Sequence, residues 1–321
     1  MSTQPNQLAD RNPAAAPDAA RLAEVRPGVH AWVQPDGSWW VNNAGAVGGA
    51  DGLLVIDTCA TADRTQRFLT ALADATGGAP VRLAVNTHQH GDHTYGNSLL
   101  PAATVLIGHE EMREGLRTDF IIDGCPAFWA PVPDWGPIQR RLPDVAITAL
   151  TTVYVGERRV DLLHPGGPAH TTGDLVAWLP DDRVLFAGDL VFAGLTPLVF
   201  MGSVTGALAA IDWLADLEPA VIVPGHGPVL AGGEIGRVLD EHRRYFEFVL
   251  ALGEGGLARG ATPLEVAGAA DLGEFAGWAD AERLVLNLHR DYADRAGQEI
   301  DLVAALCDAV TWLGHPMPTS V

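Results

Sequence analysis

The sequence predicts an α/β protein in which two β-sheets pack face to face and helices cover them on the outside. Three observations lead there. Short strand-like runs alternate with Gly, Pro and Asp turns in both halves; segments of helical spacing flank each half; and His and Asp gather just past strand ends.

In the first half, residues 29–33 and 39–42 flank Pro35-Asp36-Gly37 and read as a hairpin. Residues 53–56 form a buried strand that ends at Asp57-Thr58. Residues 62–75 have helical spacing through Phe68, Leu69 and Leu72, with a Gly77-Gly78 stop. The aliphatic run Val81–Val85 then delivers the chain to Asn86-Thr87-His88-Gln89-His90-Gly91-Asp92-His93.

That loop is the organising feature. Imidazole and carboxylate suit zinc and similar borderline ions, and residues two apart turn toward one point on extended or looped backbone. His88 and His90 can therefore share one metal while Asp92 and His93 face a neighbouring one. Partners follow in order downstream. His170 sits in Pro-Ala-His-Thr-Thr-Gly-Asp, Asp189 follows the apolar run 184–187 and Gly188, and His226 sits in Val-Pro-Gly-His-Gly. Each lies beyond a strand-like run or in a Gly-rich turn, where side chains converge at a sheet edge.

Between the halves, residues 118–143 are irregular, with five prolines among Phe128, Trp129 and Trp135. A loop of that length in a compact enzyme is usually functional, and we read it as a lid or pocket wall. The second half repeats the plan: strands at 146–150, 152–155, 160–163, 175–179 and 184–186, a helix over 207–217, and a strand over 220–223. Four helical segments follow, at 235–250, 263–269, 281–293 and 299–312. They could cover the site or form a homodimer contact.

A chain of 321 residues can bury a full core. The expectation is one domain over residues 25–316, its C-terminal portion (232–316) helical, after a disordered Ala/Pro/Asp/Asn-rich tail over 1–24. Forty acidic residues stand against twenty basic ones, all of them Arg, and the net charge of −20 opposes a phosphate backbone, so nucleic acid is excluded as a partner. No apolar run is long enough to span a membrane. Cys59, Cys125 and Cys307 are isolated, and the N-terminus lacks a signal-peptide pattern, so a reducing, cytoplasmic location is expected.

Among the other polar residues, Asp57 at its strand end is a candidate to orient a metal ligand from behind, or else a helix cap. Asn42 and Asn43 could line the site opposite the metal loop or serve a tight turn. His30 and His315 are expected at the surface, and His109, His164 and His242 as satisfied polar residues. Of the histidines outside the metal pattern, His289 is the candidate to reach the pocket.

The pattern His-x-His-x-Asp-His followed by His, Asp and His on separate strand ends resembles the metallo-β-lactamase fold superfamily. The resemblance implies an αββα sandwich of two mixed sheets. It also implies one metal held by His88, His90 and His170 and a second held by Asp92, His93 and His226, with Asp189 bridging. The cofactor implied is two Zn²⁺, or another divalent transition metal. Asp189 stands where lactam-cleaving members usually carry Cys or Ser, which argues against a β-lactamase. Over most of the chain, motifs such as Val-Asn-Asn-Ala-Gly, His-Thr-Tyr-Gly-Asn, Leu-Thr-Pro-Leu and Ala-Glu-Arg-Leu-Val-Leu-Asn-Leu-His-Arg resemble the second-ring cyclases of bacterial aromatic (type II) polyketide synthesis.

That closer resemblance implies a zinc-dependent cyclase or thioesterase acting on a polyketide carried by an acyl carrier protein, by aldol ring closure, thioester hydrolysis or both. Asp92 is the candidate to pass protons, and Trp129, Trp135 and Phe200 are candidates for substrate contact. The alternative is a zinc hydrolase of a small thioester or lactone, similar to glyoxalase II. An iron oxygenase would not require His226 and Asp189 together, and a flavodiiron protein has Glu where His90 stands. One of the pairs Arg140-Arg141, Arg158-Arg159 and Arg243-Arg244 is expected to meet the carrier protein.

Overall fold

The computed structural model describes residues 20–34 and 36–321. The first half runs β1 (Arg21–Arg26), β2 (Val29–Val33), β3 (Ala44–Gly49), β4 (Gly52–Ile56), α1 (Ala62–Thr76), β5 (Val81–Val85), the single turn α2 (Gly91–Thr94), β6 (Val105–His109), α3 (Glu110–Thr118), β7 (Trp129–Ala130) and β8 (Val145–Ile147). The second half runs β9 (Thr151–Val155), β10 (Arg158–Leu163), β11 (Val176–Leu179), β12 (Val184–Phe192), α4 (Val204–Asp216), β13 (Val221–His226) and β14 (Leu230–Ala231). It closes with α5 (Gly233–Arg259), α6 (Pro263–Ala269), α7 (Arg283–Ala296), α8 (Leu302–Leu313) and β15 (Met317–Pro318).

Two mixed sheets result. One has the order β1-β2-β3-β4-β5-β6-β8, the other β14-β13-β12-β11-β10-β9. Side chains alternate across each strand, and the apolar residues follow that period of two. Val29, Ala31 and Val33 of β2, Leu54 and Ile56 of β4, and Val184 and Phe186 of β12 meet between the sheets. The intervening Trp32, Leu53 and Val55 pack outward against Phe68 and Leu72 of α1. Leu185 and Ala187 pack outward in the cluster that includes Ile211 of α4, Val238 of α5 and Val285 of α7. This is the predicted helix-covered sandwich.

Three sequence expectations change at the N-terminal side. The expected tail over residues 1–19 lies outside the described residues, but 21–24 belong to β1, so the fold begins before residue 25. β2, buried at all five positions, pairs with β1 on one side and β3 on the other, so residues 39–42 are not its hairpin partner. Gly37 turns with φ 60°, and the carbonyls of Gly37 and Val41 accept from His226 instead of joining a ladder. His30, expected at the surface, is buried in β2 between those two neighbours. His315 is exposed, as expected.

The long irregular segment is tied down by the C-terminus. β7 pairs in parallel with β15, matching Trp129 to Met317, and the Thr319 hydroxyl donates to the Trp39 carbonyl at 2.8 Å. No helix among the described residues is long and apolar enough to cross a membrane.

His242 joins the longest helix to the strand that carries Asp189. Its Nδ1 lies 2.8 Å from the Val238 carbonyl and its Nε2 accepts the Phe192 N–H at 2.9 Å, which requires a neutral ring. Burial pushes it down from 6.5 to about 4. The unfolded chain therefore binds a proton that the fold refuses. The contact contributes fully above pH 6.5 and is lost as pH falls toward 4, on the order of 2 kcal/mol at pH 5. Urea midpoints measured at pH 7.5 and 5 should fall less for His242→Gln than for the wild type.

Candidate metal centre

The parallel strands β4, β5, β12 and β13 bring Asp57, the loop 86–93, Asp189 and His226 to one edge of the sandwich. β12 is irregular around Asp189: its register with β13 shifts between Phe186, Gly188 and Phe192, and Gly188 adopts φ 51°. The carboxylate turns toward the backbone of Gly225, where any Cβ would collide with it. Glycine at 225 is what gives Asp189 its place.

Seven side chains converge in two groups, His88, His90, His170 and Asp189, and Asp92, His93 and His226; within each group the potential ligand atoms lie within 4.8 Å of one another. In the first group, His90 Nδ1 is 3.1 Å from His88 Nε2 and 2.8 Å from His170 Nε2, and Asp189 Oδ2 is 3.4 Å from His170 Nε2. In the second, Asp92 Oδ2 is 3.3 Å from His226 Nε2 and 3.8 Å from His93 Nε2. Asp189 also reaches this group, Oδ1 at 3.1 Å from His93 and Oδ2 at 3.3 Å from His226. It occupies the position of a bridge.

The outer nitrogens explain why these atoms face inward. His93 Nδ1 bonds Asp57 Oδ2 at 2.8 Å, His170 Nδ1 the Leu198 carbonyl at 2.6 Å, and His226 Nδ1 the carbonyls of Gly37 and Val41. A ring that donates through Nδ1 presents the lone pair of Nε2. His90 is reversed, its Nε2 against Met201 Sδ at 3.1 Å and its Nδ1 inward. Asp57 serves two ligands, because it also accepts from the Thr87 hydroxyl, which in turn lies 3.0 Å from His88 Nδ1. It does so at φ 59°, a conformation uncommon outside glycine. The cap of α1 is Thr61, so Asp57 takes the orienting role of its two alternatives.

The donor set fits divalent ions of zinc's class. Ligands about 2.1 Å from one tetrahedral ion stand roughly 3.4 Å apart, and the measured separations bracket that value. His93 Nε2 and Asp189 Oδ1 are buried and, although 3.1 Å apart, make no hydrogen bond of good geometry with each other or with any other group among the described residues. Burial, together with neighbouring imidazoles, pushes His88 well down and His90 to about 3, and burial also lowers His170, so the three histidines of the first group are neutral, with lone pairs available to a metal. Burial opposes charge on the second group too, but there the carboxylates win: Asp189, Asp57 and Asp92 raise His93, and Asp189 and Asp92 raise His226 to about 9. Against burial, His226 and His93 hold Asp189 well below the usual carboxylate range.

A cavity of about 230 Å³ opens over the centre, with His90, Asp92, Asp189 and His226 in its floor. Its wall is aromatic and aliphatic, and includes Trp129 and Phe200 as expected; Phe200 stacks on His90. Trp135 is one layer behind, packed on Trp40 and Tyr95 with its indole N–H on the Ile121 carbonyl. Asn42 and Asn43 do not reach the cavity, because their amides are consumed by backbone: Asn42 donates to the Thr58 carbonyl, and Asn43 to those of Pro224 and Gly227. His289 is likewise turned away, bound to Asp308 of α8 at 2.8 Å.

Sequence reasoning missed Trp39, Trp40, Tyr95 and Arg283, all of which line the cavity. The tandem Trp beside Val-Asn-Asn was the available signal. The basic pairs are occupied within the chain: Arg140 by Asp123, Arg158 by Asp182, Arg159 by Asp161, Arg243 by Asp212 and Asp240, Arg244 by Glu274, while Arg141 donates to the Thr104 carbonyl.

The chain is similar to known proteins. The model of the Metallo-beta-lactamase superfamily matches residues 37–226. The 2,4-dinitroanisole O-demethylase subunit alpha of Nocardioides sp. (strain JS1661) is 28% identical over 56% of this chain and 51% of its own. A hydroxyacylglutathione hydrolase of Methylococcus capsulatus is 32% identical over 37% of each chain. The acyl-coenzyme A thioesterase MBLAC2 of Bos taurus is 28% identical over 41% of this chain and 44% of its own. The chain thus spans about half, or less, of the length of these relatives. A metallo-beta-lactamase family protein of Thermus thermophilus superposes with a TM-score of 0.65 at 20% identity, covering 85% of this chain and 95% of the other, and so shares the fold. The matched span holds six of the seven converging side chains and ends on the seventh, His226; this chain belongs to the metallo-beta-lactamase superfamily.

Proposed function

We propose that this protein uses two zinc ions to cleave a thioester or ester whose acyl part is flat and apolar. The observation that carries the reading is the Asp189 carboxylate, which touches both ligand groups at the floor of an aromatic cavity. Two ions held there would supply Lewis acidity and bring the pKa of a bound water down to about 7. Asp92 faces the cavity beside His226 and is placed to take and return a proton as the carbonyl carbon is attacked and the thiol or alcohol leaves. The aromatic wall holds the acyl group and excludes bulk water. Two relatives are named as a hydroxyacylglutathione hydrolase and an acyl-coenzyme A thioesterase, which supports this class.

The cavity also narrows the acyl group. At about 230 Å³ it exceeds the ~150 Å³ that accommodates benzene and falls short of the ~300 Å³ at which drug-sized pockets begin. A flat acyl group of one or two fused rings suits that volume. The aromatic wall still favours the narrower second reading, in which a carrier-bound polyketide enters in part and is cyclised or released. A glutathione moiety fits less well, because the guanidinium in the wall, Arg283, is occupied by Asp280 and the Thr196 carbonyl.

The test is release of free thiol from benzoyl, naphthoyl, acetyl and lactoyl thioesters, each on N-acetylcysteamine and on glutathione, with zinc-loaded and chelator-stripped protein. Zinc-dependent turnover with a higher kcat/KM for the aromatic acyl groups is expected. No thioester or ester hydrolysis by zinc-loaded protein would refute it. Ring closure of a poly-β-ketone without thiol release would select the second reading.

A further inference from the structure

We propose that Asn287 on α7 is a positioning residue for the metal ligand His170, acting through the carbonyl of Leu198. The inference rests on the metal reading above and adds to it which residue outside the ligand set holds one group in register. Asn287 is fully buried. Its Nδ2 donates to the Pro197 carbonyl at 2.8 Å, and its Oδ1 accepts the N–H of Val199 at 2.7 Å.

The side-chain amide thus takes the place of a neighbouring strand, gripping the acceptor of 197 and the donor of 199. The group between them, the Leu198 carbonyl, faces the other way and meets His170 Nδ1 at 2.6 Å. That contact selects the tautomer of His170. With the proton held on Nδ1, the lone pair of Nε2 is free to ligate; if the carbonyl swings away, the ring can rotate or carry its proton on Nε2, where it cannot bind a metal. The grip itself is fixed in turn. The second amide N–H of Asn287 donates to the Tyr245 hydroxyl at 3.0 Å, and Arg283, one turn earlier on α7, donates to the Thr196 carbonyl at 3.0 Å.

The clamp acts on one group of ligands only. Met201, at the end of the same segment, bears on His90. The second group is oriented from elsewhere, His93 by Asp57 and His226 by the carbonyls of Gly37 and Val41. Loss of the clamp should therefore separate the two metal affinities.

Zinc affinities of metal-stripped wild type, Asn287→Ala, Asn287→Asp and Tyr245→Phe can be measured by competition with a chromophoric chelator, alongside thermal melts. Asn287→Asp keeps the acceptor for Val199 and loses the donation to Pro197, so it decides the matter if the alanine variant does not fold. Tyr245→Phe perturbs the same buried cluster but leaves the clamp. The expectation is that both Asn287 variants bind one zinc as the wild type does and the other about 10- to 100-fold more weakly, while Tyr245→Phe binds both normally even if it melts earlier. A folded Asn287 variant that binds both ions with wild-type affinity overturns the proposal, as does an equal weakening in Tyr245→Phe. Wild-type protein that binds no zinc would instead refute the metal reading itself.

Discussion

Asp189→Ala should yield a soluble, cooperatively unfolding protein whose thioester hydrolysis falls by well over about 100-fold. Substitutions of groups that merely orient metal ligands cost about 10- to 100-fold, and Asp189 lies within 3.1–3.4 Å of His93, His170 and His226 rather than behind them. Its removal takes a negative charge from between two cation sites, so the second group, Asp92, His93 and His226, should lose its ion first. The fold should survive, because its buried area comes from the intersheet cluster and the two helix-covered faces. Steady-state hydrolysis and a denaturant melt on the same preparation check both halves. A variant that keeps wild-type turnover would remove the bridging role from Asp189.

The largest stability effect should come from a residue outside the metal loop. Arg283 is 1% exposed, with its guanidinium 4.7 Å from the Trp39 ring and 5.2 Å from that of Phe192. It pairs with the fully buried Asp280 at 3.0 Å and donates to the Thr196 carbonyl. Breaking a buried pair from one side costs about 3–5 kcal/mol, and Arg283→Ala also withdraws the body that supports two rings of the cavity wall. Urea unfolding should show a loss of that size. Arg283→Lys should recover little of it, since an ammonium cannot lie flat between two rings or fork to two acceptors. Phe192 stacks on His226 at 5.2 Å and 8°, so the variant should also raise KM. A change below about 1 kcal/mol would show that the pair is not a structural keystone.

The convergence of the seven His and Asp side chains was legible because its signal is local. His88, His90, Asp92 and His93 sit on one strand-to-turn junction; Asp189 and His226 come after apolar runs that open β12 and β13, and His170 lies in the Gly/Pro turn before β11. Even Asp57 could be read from its place at the end of β4. The wall was not legible in the same way. Trp39 and Trp40 enter the cavity because carbonyls of their loop are spent on His226, a contact 185 to 189 residues distant in sequence. Asn42 and Asn43 looked like site residues for the same reason, yet they are the fasteners of that loop. His289 and Asn287 lie two apart on one helix. Which of them turns inward depends on how α7 meets residues 195–199, a packing relation that helical spacing alone does not specify. Trp135 and Trp129 differ likewise: pairing with the C-terminal strand brings Trp129 to the cavity.

In the proposed centre seven side chains hold two ions with Asp189 between them. Elemental analysis of protein dialysed against a small excess of zinc tests it most directly. Two zinc ions per chain are expected, falling to one in Asp189→Ala or His226→Ala. One ion per wild-type chain, unchanged in excess zinc, would contradict the paired centre.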